Sequence, residues 1–401
     1  MHSGAGLSRM VRTIIGRPEL DEGVVVNRIE VPSRDIEVGT ERYILVDVYE
    51  FEPTKRDTAP HVPAATSTEL LKQDDYNTAS KDGSPKIDTH ALAASPDSLF
   101  PVPVHITMHG SGFITPNLGE DSEFASWLAC QSAFAKQGGV VFDTDYRKAP
   151  EHPFPAGLED VEDVIRYVWS KPDIYDRSRI TIGGFSAGAT LAIGAAYTVA
   201  NGKAFVPNPD TNIKATPEEK ELSEKAAAEF APNGIPRISI AAIACAYPAT
   251  DLRPEGERES VREPLTKIDK SGGGGVLPKG FTQFLMKAYL TDLKFAYDKR
   301  ASVTLIEQEE LPRHIYIAAG EADSLFPEAR QFIDKLNAQG HPDARLFDAG
   351  AEGHGFDIGP KKLLAKLHTD AFHLHVLDTI LRGWADAPAK KEQEKAAHPQ
   401  A

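Results

Sequence analysis

The chain has 401 residues, and 44 Lys plus Arg against 59 Asp plus Glu leave a net charge of −15. That balance argues against nucleic acid or an anionic membrane surface as the main partner, since both require a basic face. No stretch approaches the roughly 18 consecutive apolar residues of a membrane span, and two cysteines, Cys130 and Cys245, are too few for a disulfide scaffold and suit a reducing compartment. The first twenty residues carry Arg9, Arg12 and Arg17 ahead of Glu19 but lack the apolar run of a signal peptide. The cytoplasm is therefore the expected location, with a mitochondrial presequence as the second reading.

In chain order, strands alternate with helices. Val24–Val31 and Tyr43–Tyr49 are alternating, β-branched runs about a turn near Gly39, which predicts a hairpin. From about 54 to 101 Ala, Ser, Thr, Asp and Pro dominate; too little apolar surface is available to offset ordering entropy, so this is a surface insertion. Short strands follow at Val104–Met108 and Gly139–Asp143, and the spacing of Leu158, Val161, Val164, Ile165 and Val168 predicts a helix over Pro155–Trp169. Arg179–Gly183 reads as a strand and Ala187–Ala200 as a helix apolar on every side, hence buried. A second insertion spans about 203–236, with Pro217–Phe230 patterned as a surface helix, before a long apolar strand at Ile238–Tyr247. A charged, then Gly-rich excursion at about 253–280 includes Gly272–Gly275. A helix from Phe281 to Tyr289, a strand at His314–Ala319, a helix at Pro327–Leu336, a strand at Ala344–Asp348 and a helix from about Lys361 to Trp384 complete the pattern, with a frayed tail over 385–401. Such alternation implies right-handed crossovers and a mostly parallel sheet covered on both faces.

The strongest chemical signal is Gly184-Phe185-Ser186-Ala187-Gly188, set between a strand and an apolar helix. A serine on so tight a turn projects above the sheet at a helix N-terminus, where partial positive charge favours a developing anion. It needs a base and an orienting acid, in the order Ser, acid, His along the chain. Asp323, just past His314–Ala319, and His354, between Gly353 and Gly355 past the last strand, fall at strand carboxyl ends on the same edge of the sheet. Asp251 and Glu321 are the rival acids. Of thirteen histidines most fail on position: His341 precedes the last strand, His105 lies within a strand and His152 between prolines. His368, His373 and His375 are read as a solvated helix surface rather than a metal site. Acyl transfer also needs donors for an oxyanion, and His109-Gly110-Ser111-Gly112 follows a strand with N–H groups at Ser111 and Gly112 that can join that of Ala187.

With these segments in place, the chain resembles the hormone-sensitive-lipase-like branch of the α/β-hydrolase fold. The resemblance rests on His109-Gly110-Ser111-Gly112, on Asp145-Tyr146-Arg147-Lys148-Ala149-Pro150-Glu151-His152-Pro153-Phe154-Pro155-Ala156 and on Gly184-Phe185-Ser186-Ala187-Gly188, with later matches around Asp323 and His354-Gly355-Phe356. It implies an eight-stranded, mostly parallel sheet flanked by helices, with a helical cap. One catalytic domain would span 43–384, preceded by a cap segment and the start of the hairpin over 1–42. The resemblance makes Ser186 the nucleophile, His354 the base and then acid, and Asp323 the orienting carboxylate, with Ser111, Gly112 and Ala187 as the oxyanion hole and His109, Gly110, Gly184 and Gly188 in support. It implies a serine carboxylester hydrolase for small, mainly apolar acyl esters, needing neither metal nor organic cofactor; a silent small-molecule-binding protein on the same scaffold and an amidase or lactonase are the alternatives. Two departures stand out. Ser111 replaces the middle glycine of the usual His-Gly-Gly-Gly, which would strain the serine or re-aim the loop if that position needs φ > 0. Phe185 stands where the branch usually has an acidic or small residue. The acids Glu120, Asp121 and Glu123 after the oxyanion loop are read as disfavouring anionic substrates or as a solvated surface.

Overall fold

The computed structural model describes residues 20–34, 42–52, 101–201, 237–254, 257–258, 279–358 and 363–387. The expected insertions at about 54–101, 203–236 and 253–280, the turn near Gly39 and the tail lie wholly or almost wholly outside these residues. Eight strands form one sheet: β1 (Val24–Pro32), β2 (Tyr43–Phe51), β3 (Val102–Met108), β4 (Val140–Thr144), β5 (Tyr175–Phe185), β6 (Ala242–Ala246), β7 (His314–Ala319) and β8 (Asp343–Asp348). Their spatial order is β1-β2-β4-β3-β5-β6-β7-β8. β1–β2 and β2–β4 pair antiparallel, and every later pair is parallel. All residues of β3, β4, β6 and β7 are buried, as strands covered on both faces must be, whereas β1 at the edge is partly exposed.

Helices α1 (Ser122–Cys130), α2 (Ser132–Ala135), α3 (Ala156–Trp169), α4 (Ala187–Asn201), α5 (Lys279–Tyr289), α6 (Phe326–Ala338) and α7 (Leu363–Ala385) surround the sheet. α3 and α4 pack together on one face, while α1 and α7 meet on the other. The hydrophobic core is continuous from Val31 and Val46 through Ile106, Phe142 and Ile182 to Ile317 and Ile380. No helix among the described residues is long and apolar enough to cross a membrane.

Apart from short helical turns, including α2, the departures from the sequence expectation concern β5, β6 and α1. β5 extends to Phe185, because Gly184 and Phe185 still pair with Cys245 and Ala246. β6 contracts to five residues: the Ile238 N–H bonds to Val199 O instead, and the backbone turns at Tyr247, with φ 38°, while its N–H still donates to Ala318 O of β7. α1 is additional. Phe124, Ala125, Leu128 and Ala129 do recur at helical spacing and are buried, but over barely two turns that pattern is too short to stand out.

Candidate active site

Ser186 joins β5 to α4 with φ at 51°, a left-handed conformation that costs a side-chain-bearing residue about 1–3 kcal/mol. The fold holds it there. The Ser186 N–H donates to Ala246 O at 3.0 Å, and its carbonyl accepts from the Thr190 N–H at 3.1 Å. A Cβ at Gly188 would lie 2.3 Å from Met108 O and 2.6 Å from His109 O, so glycine there lets the serine turn nest on the end of β3. Gly184 makes the same close approach to Met108 O, and a Cβ on Gly110 would sit 3.6 Å from that of Ser186.

β5, β7 and β8 run parallel, so their carboxyl ends share one edge. There the loops after β7 and β8 are laced together. The Glu321 N–H donates to Gly350 O at 2.6 Å and the Ala322 N–H to Glu352 O at 3.1 Å. Gly320 packs against Glu352 so tightly that a Cβ would lie 2.3 Å from its carbonyl oxygen. This lacing sets Asp323, 1% exposed, beside His354. His354 Nδ1 lies 2.8 Å from Asp323 Oδ2, and His354 Nε2 lies 2.9 Å from Ser186 Oγ. The other carboxylate oxygen of Asp323 accepts the Leu325 N–H at 2.9 Å. An acceptor-only carboxylate at Nδ1 selects the tautomer with the proton there, which leaves Nε2 free to accept from the serine hydroxyl.

The rival acids are elsewhere. Asp251 is held by Arg253, with contacts of 2.8 and 3.0 Å, and Glu321 is exposed. Among the histidines, His105 is buried within β3 against Thr181 Oγ1 at 3.1 Å, and burial pushes its pKa down to about 3. His341 bonds to Pro312 O away from the site, and His152 is exposed. The helix histidines correct the expectation of a solvated surface. His375 is buried near Tyr316 and Phe347, His373 packs against Phe124 and Trp127, and His368 Nδ1 lies 2.9 Å from Glu352 Oε1. α7 lies flat on the sheet, so its polar positions meet neighbouring elements. Among the described residues no group of three or more His, Cys, Asp or Glu is arranged to hold a metal ion.

The oxyanion loop corrects the concern over Ser111. The positive φ values fall on Gly112 at 54° and Phe113 at 65°, and Ser111 has none. Its hydroxyl is engaged with Tyr146 and with the Phe113 N–H. The N–H groups of Ser111, Gly112 and Ala187 have no acceptor among the described residues. His109 supports the loop from beneath: it is fully buried, stacked on Tyr146 with ring centroids 4.8 Å apart, and burial lowers its pKa. Burial works against ionisation of Asp145 too, but the His109 contact and the Lys148 ammonium at 2.7 Å win and hold its carboxyl below the usual range. The adjoining Arg147 anchors the segment to α3 through Asp160, at 3.1 Å to each oxygen. Phe185 is buried against Phe124, Phe372 and Tyr247, filling the core behind the serine turn.

Tyr247, Asp357 and Leu285 join the site without any sequence motif that marks them. The Tyr247 ring lies 4.6 Å from that of His354, and its hydroxyl donates to Asp357 Oδ1 at 2.5 Å, clamping the histidine loop at two points. The signal available was its place at the carboxyl end of β6, the edge that carries the site. Leu285 of α5 covers Gly112, where an added Cβ would lie 2.7 Å from Leu285 Cδ1, and Tyr289 stacks on Phe113 at 3.8 Å. α5 therefore caps the oxyanion loop with apolar groups. Of the three acids after the loop, Glu123 and Glu120 are exposed. Asp121 is buried, and desolvation with the neighbouring Glu120, Asp143 and Asp357 carboxylates raises its pKa well above the usual range.

A sheet in this order, with a serine turn after β5 and an acid and a histidine after β7 and β8, defines an α/β-hydrolase. The family model described as alpha/beta hydrolase fold matches residues 105–358, and the chain belongs to that family, in its hormone-sensitive-lipase-like branch. Among curated relatives, an AB hydrolase superfamily protein of Schizosaccharomyces pombe is 33% identical over 107 residues, 26% of this chain and 30% of that protein. The esterase LipI of Mycobacterium tuberculosis is 35% identical over 92 residues, 22% of this chain and 27% of its own. The matches thus span between a quarter and a third of those relatives' length. Of solved structures, a bacterial heroin esterase superposes with a TM-score of 0.59 at 19% identity, covering 95% of this chain and 91% of that one; this likeness is one of fold.

Proposed function

We propose that the protein is a serine carboxylester hydrolase acting on small, mainly apolar acyl esters. The observation that carries the reading is the unbroken line from Ser186 Oγ through His354 to the buried Asp323, at 2.9 and 2.8 Å. Ser186 attacks the ester carbonyl as His354 Nε2 takes its proton, and the tetrahedral oxyanion is met by the N–H groups of Gly112, Ser111 and Ala187. Each such donor contributes roughly 3–4 kcal/mol to the transition state. The alcohol leaves with the proton from His354, and water then cleaves the acyl-enzyme by the same route in reverse. Asp323 keeps the imidazole in register and stabilises the imidazolium. Leu285 over Gly112 and the Phe113–Tyr289 stack put apolar groups beside the loop, which supports a preference for apolar acyl groups. Relatives that carry esterase names support the reaction class. The free cysteines Cys130 and Cys245 suit a reducing compartment such as the cytoplasm.

The test is hydrolysis of p-nitrophenyl acetate and butyrate. The wild-type protein is expected to turn both over, and Ser186→Ala to abolish turnover. Equal rates for the two proteins would remove Ser186 from its role.

A further inference from the structure

Serine in place of the usual glycine gives the oxyanion loop a side-chain lock. The Phe113 N–H donates to Ser111 Oγ at 2.9 Å, and Ser111 Oγ lies 2.7 Å from the Tyr146 hydroxyl oxygen. Tyr146 donates in turn to His109 O at 2.8 Å. The directions are forced, because an N–H can only donate and a carbonyl can only accept. The protons therefore run from Phe113 N–H to Ser111, from Ser111 to Tyr146 and from Tyr146 to His109 O, tying both ends of the loop across Gly112. Both hydroxyl-bearing side chains of this relay are buried, with Ser111 8% and Tyr146 4% exposed. Tyr146 is itself fixed, stacked on His109 with the Lys148 ammonium 3.4 Å from its ring centroid. Burial raises its phenol well above the usual range, so it stays a donor at any working pH.

Glycine at position 111 would leave the Phe113 N–H and the Tyr146 hydroxyl without this partner, and two loop residues at positive φ without a brace. Donors already in place when charge develops contribute more than donors that must reorganise. We infer that the hydroxyls of Ser111 and Tyr146 are positioning groups, which lock the oxyanion loop so that its backbone N–H groups meet the transition state rather than the ground state. The assignment rests on the hydrolase reading above, and it makes the departure at position 111 a replacement of glycine freedom by a side-chain brace.

The experiment uses Ser111→Ala and Tyr146→Phe, which remove only the hydroxyls, with their double variant. With p-nitrophenyl butyrate each single variant is expected to lose roughly ten- to a hundred-fold in kcat with KM within about two-fold. The double variant is expected to be no worse than the poorer single, because the two hydroxyls form one chain. Affinity for a butylboronic acid, a tetrahedral mimic on Ser186, should fall by the same factor as kcat/KM. Losses that multiply in the double variant, losses in KM rather than kcat, or kcat equal to wild type would each overturn the inference. Paraoxon keeps the question separable from turnover: Ser186 Oγ bonds to phosphorus, p-nitrophenolate leaves and His354 takes the serine proton. If wild type hydrolyses no ester yet is phosphorylated at Ser186, the ester reading fails while slower phosphorylation of both variants still supports the lock, and unchanged phosphorylation overturns it. A wild-type protein that neither hydrolyses nor is phosphorylated would overturn both.

Discussion

β7 and β8 carry a His–Asp pair at each end, and the two pairs do different work. At the carboxyl end His354 Nδ1 meets Asp323 at 2.8 Å; at the amino end His314 Nδ1 meets Asp343, its partner in strand register, at 2.6 Å. The first contacts are nearly the same, and both rings are largely buried. The second nitrogen separates them. His354 Nε2 faces the hydroxyl of Ser186 at 2.9 Å, whereas His314 Nε2 faces a second carboxylate, Asp386 just past α7, at 2.9 Å. A histidine between two acceptor-only groups is a staple that ties β7 and β8 to the end of α7. A histidine between an acceptor and a hydroxyl can pass a proton. The pair by itself therefore does not mark a candidate active site; the group on its far side separates the two.

Substitutions at the two ends should break this symmetry most sharply. Asp323→Asn is expected to lower kcat by about 10³–10⁴-fold, because an amide no longer selects the reactive tautomer. The kinetics of p-nitrophenyl butyrate hydrolysis check this, with Asp251→Asn near wild type as the control; the reverse result would exchange the two acids. At the other end His314→Gln should leave kcat/KM within about two-fold while costing about 1–3 kcal/mol of stability, the usual cost of stranding buried hydrogen-bonding groups. Urea unfolding measures it, and a large loss of kcat with stability intact would abolish the distinction drawn above.

A third histidine sharpens the contrast by having no acid at all. His105, fully buried in β3, is held at about 3 against 6.5 for an exposed histidine, with desolvation as the cause. Between those pH values the unfolded chain binds a proton that the folded chain refuses. Its contribution to stability is therefore complete above about pH 6.5 and is lost as pH falls toward 3, by up to about 1.4 kcal/mol per pH unit. His105→Gln should flatten the fall in stability between pH 6 and pH 4, and a slope identical to wild type would mean that His105 does not titrate this way. The smallest effect concerns the cap. Leu285→Ala should raise kcat/KM for octanoate relative to acetate esters by less than about ten-fold, the range of a small change in apolar contact. An unchanged ratio would put Leu285 outside the acyl site.

Much of this was legible along the chain. Gly184 to Gly188 sit between a strand and an apolar helix, and the turn is local, so near neighbours dictate its geometry. The order Ser186, Asp323, His354 was readable because parallel strands deliver their carboxyl ends to one edge. Less legible were contacts made by residues far apart in sequence. Asp251 and Asp323 both follow strands, and only the lacing of the loops after β7 and β8 puts one of them beside His354. The histidines of α7 look like a polar surface until the helix is laid on the sheet. Ser111 looks like a defect in a glycine loop until Tyr146, thirty-five positions on, is seen to complete its hydrogen bonds.

The sequence by itself determined the alternation of strands and helices, the parallel sheet and the serine turn, because hydrophobic period and glycine spacing act over a few residues. Tertiary structure alone decided which carboxylate reaches His354, what Tyr247 and Leu285 cover, and that Ser111 is braced rather than strained. Those outcomes depend on hydrogen-bond and packing distances of 2.5 to 4 Å between segments separated by tens to hundreds of residues, and no local pattern encodes them.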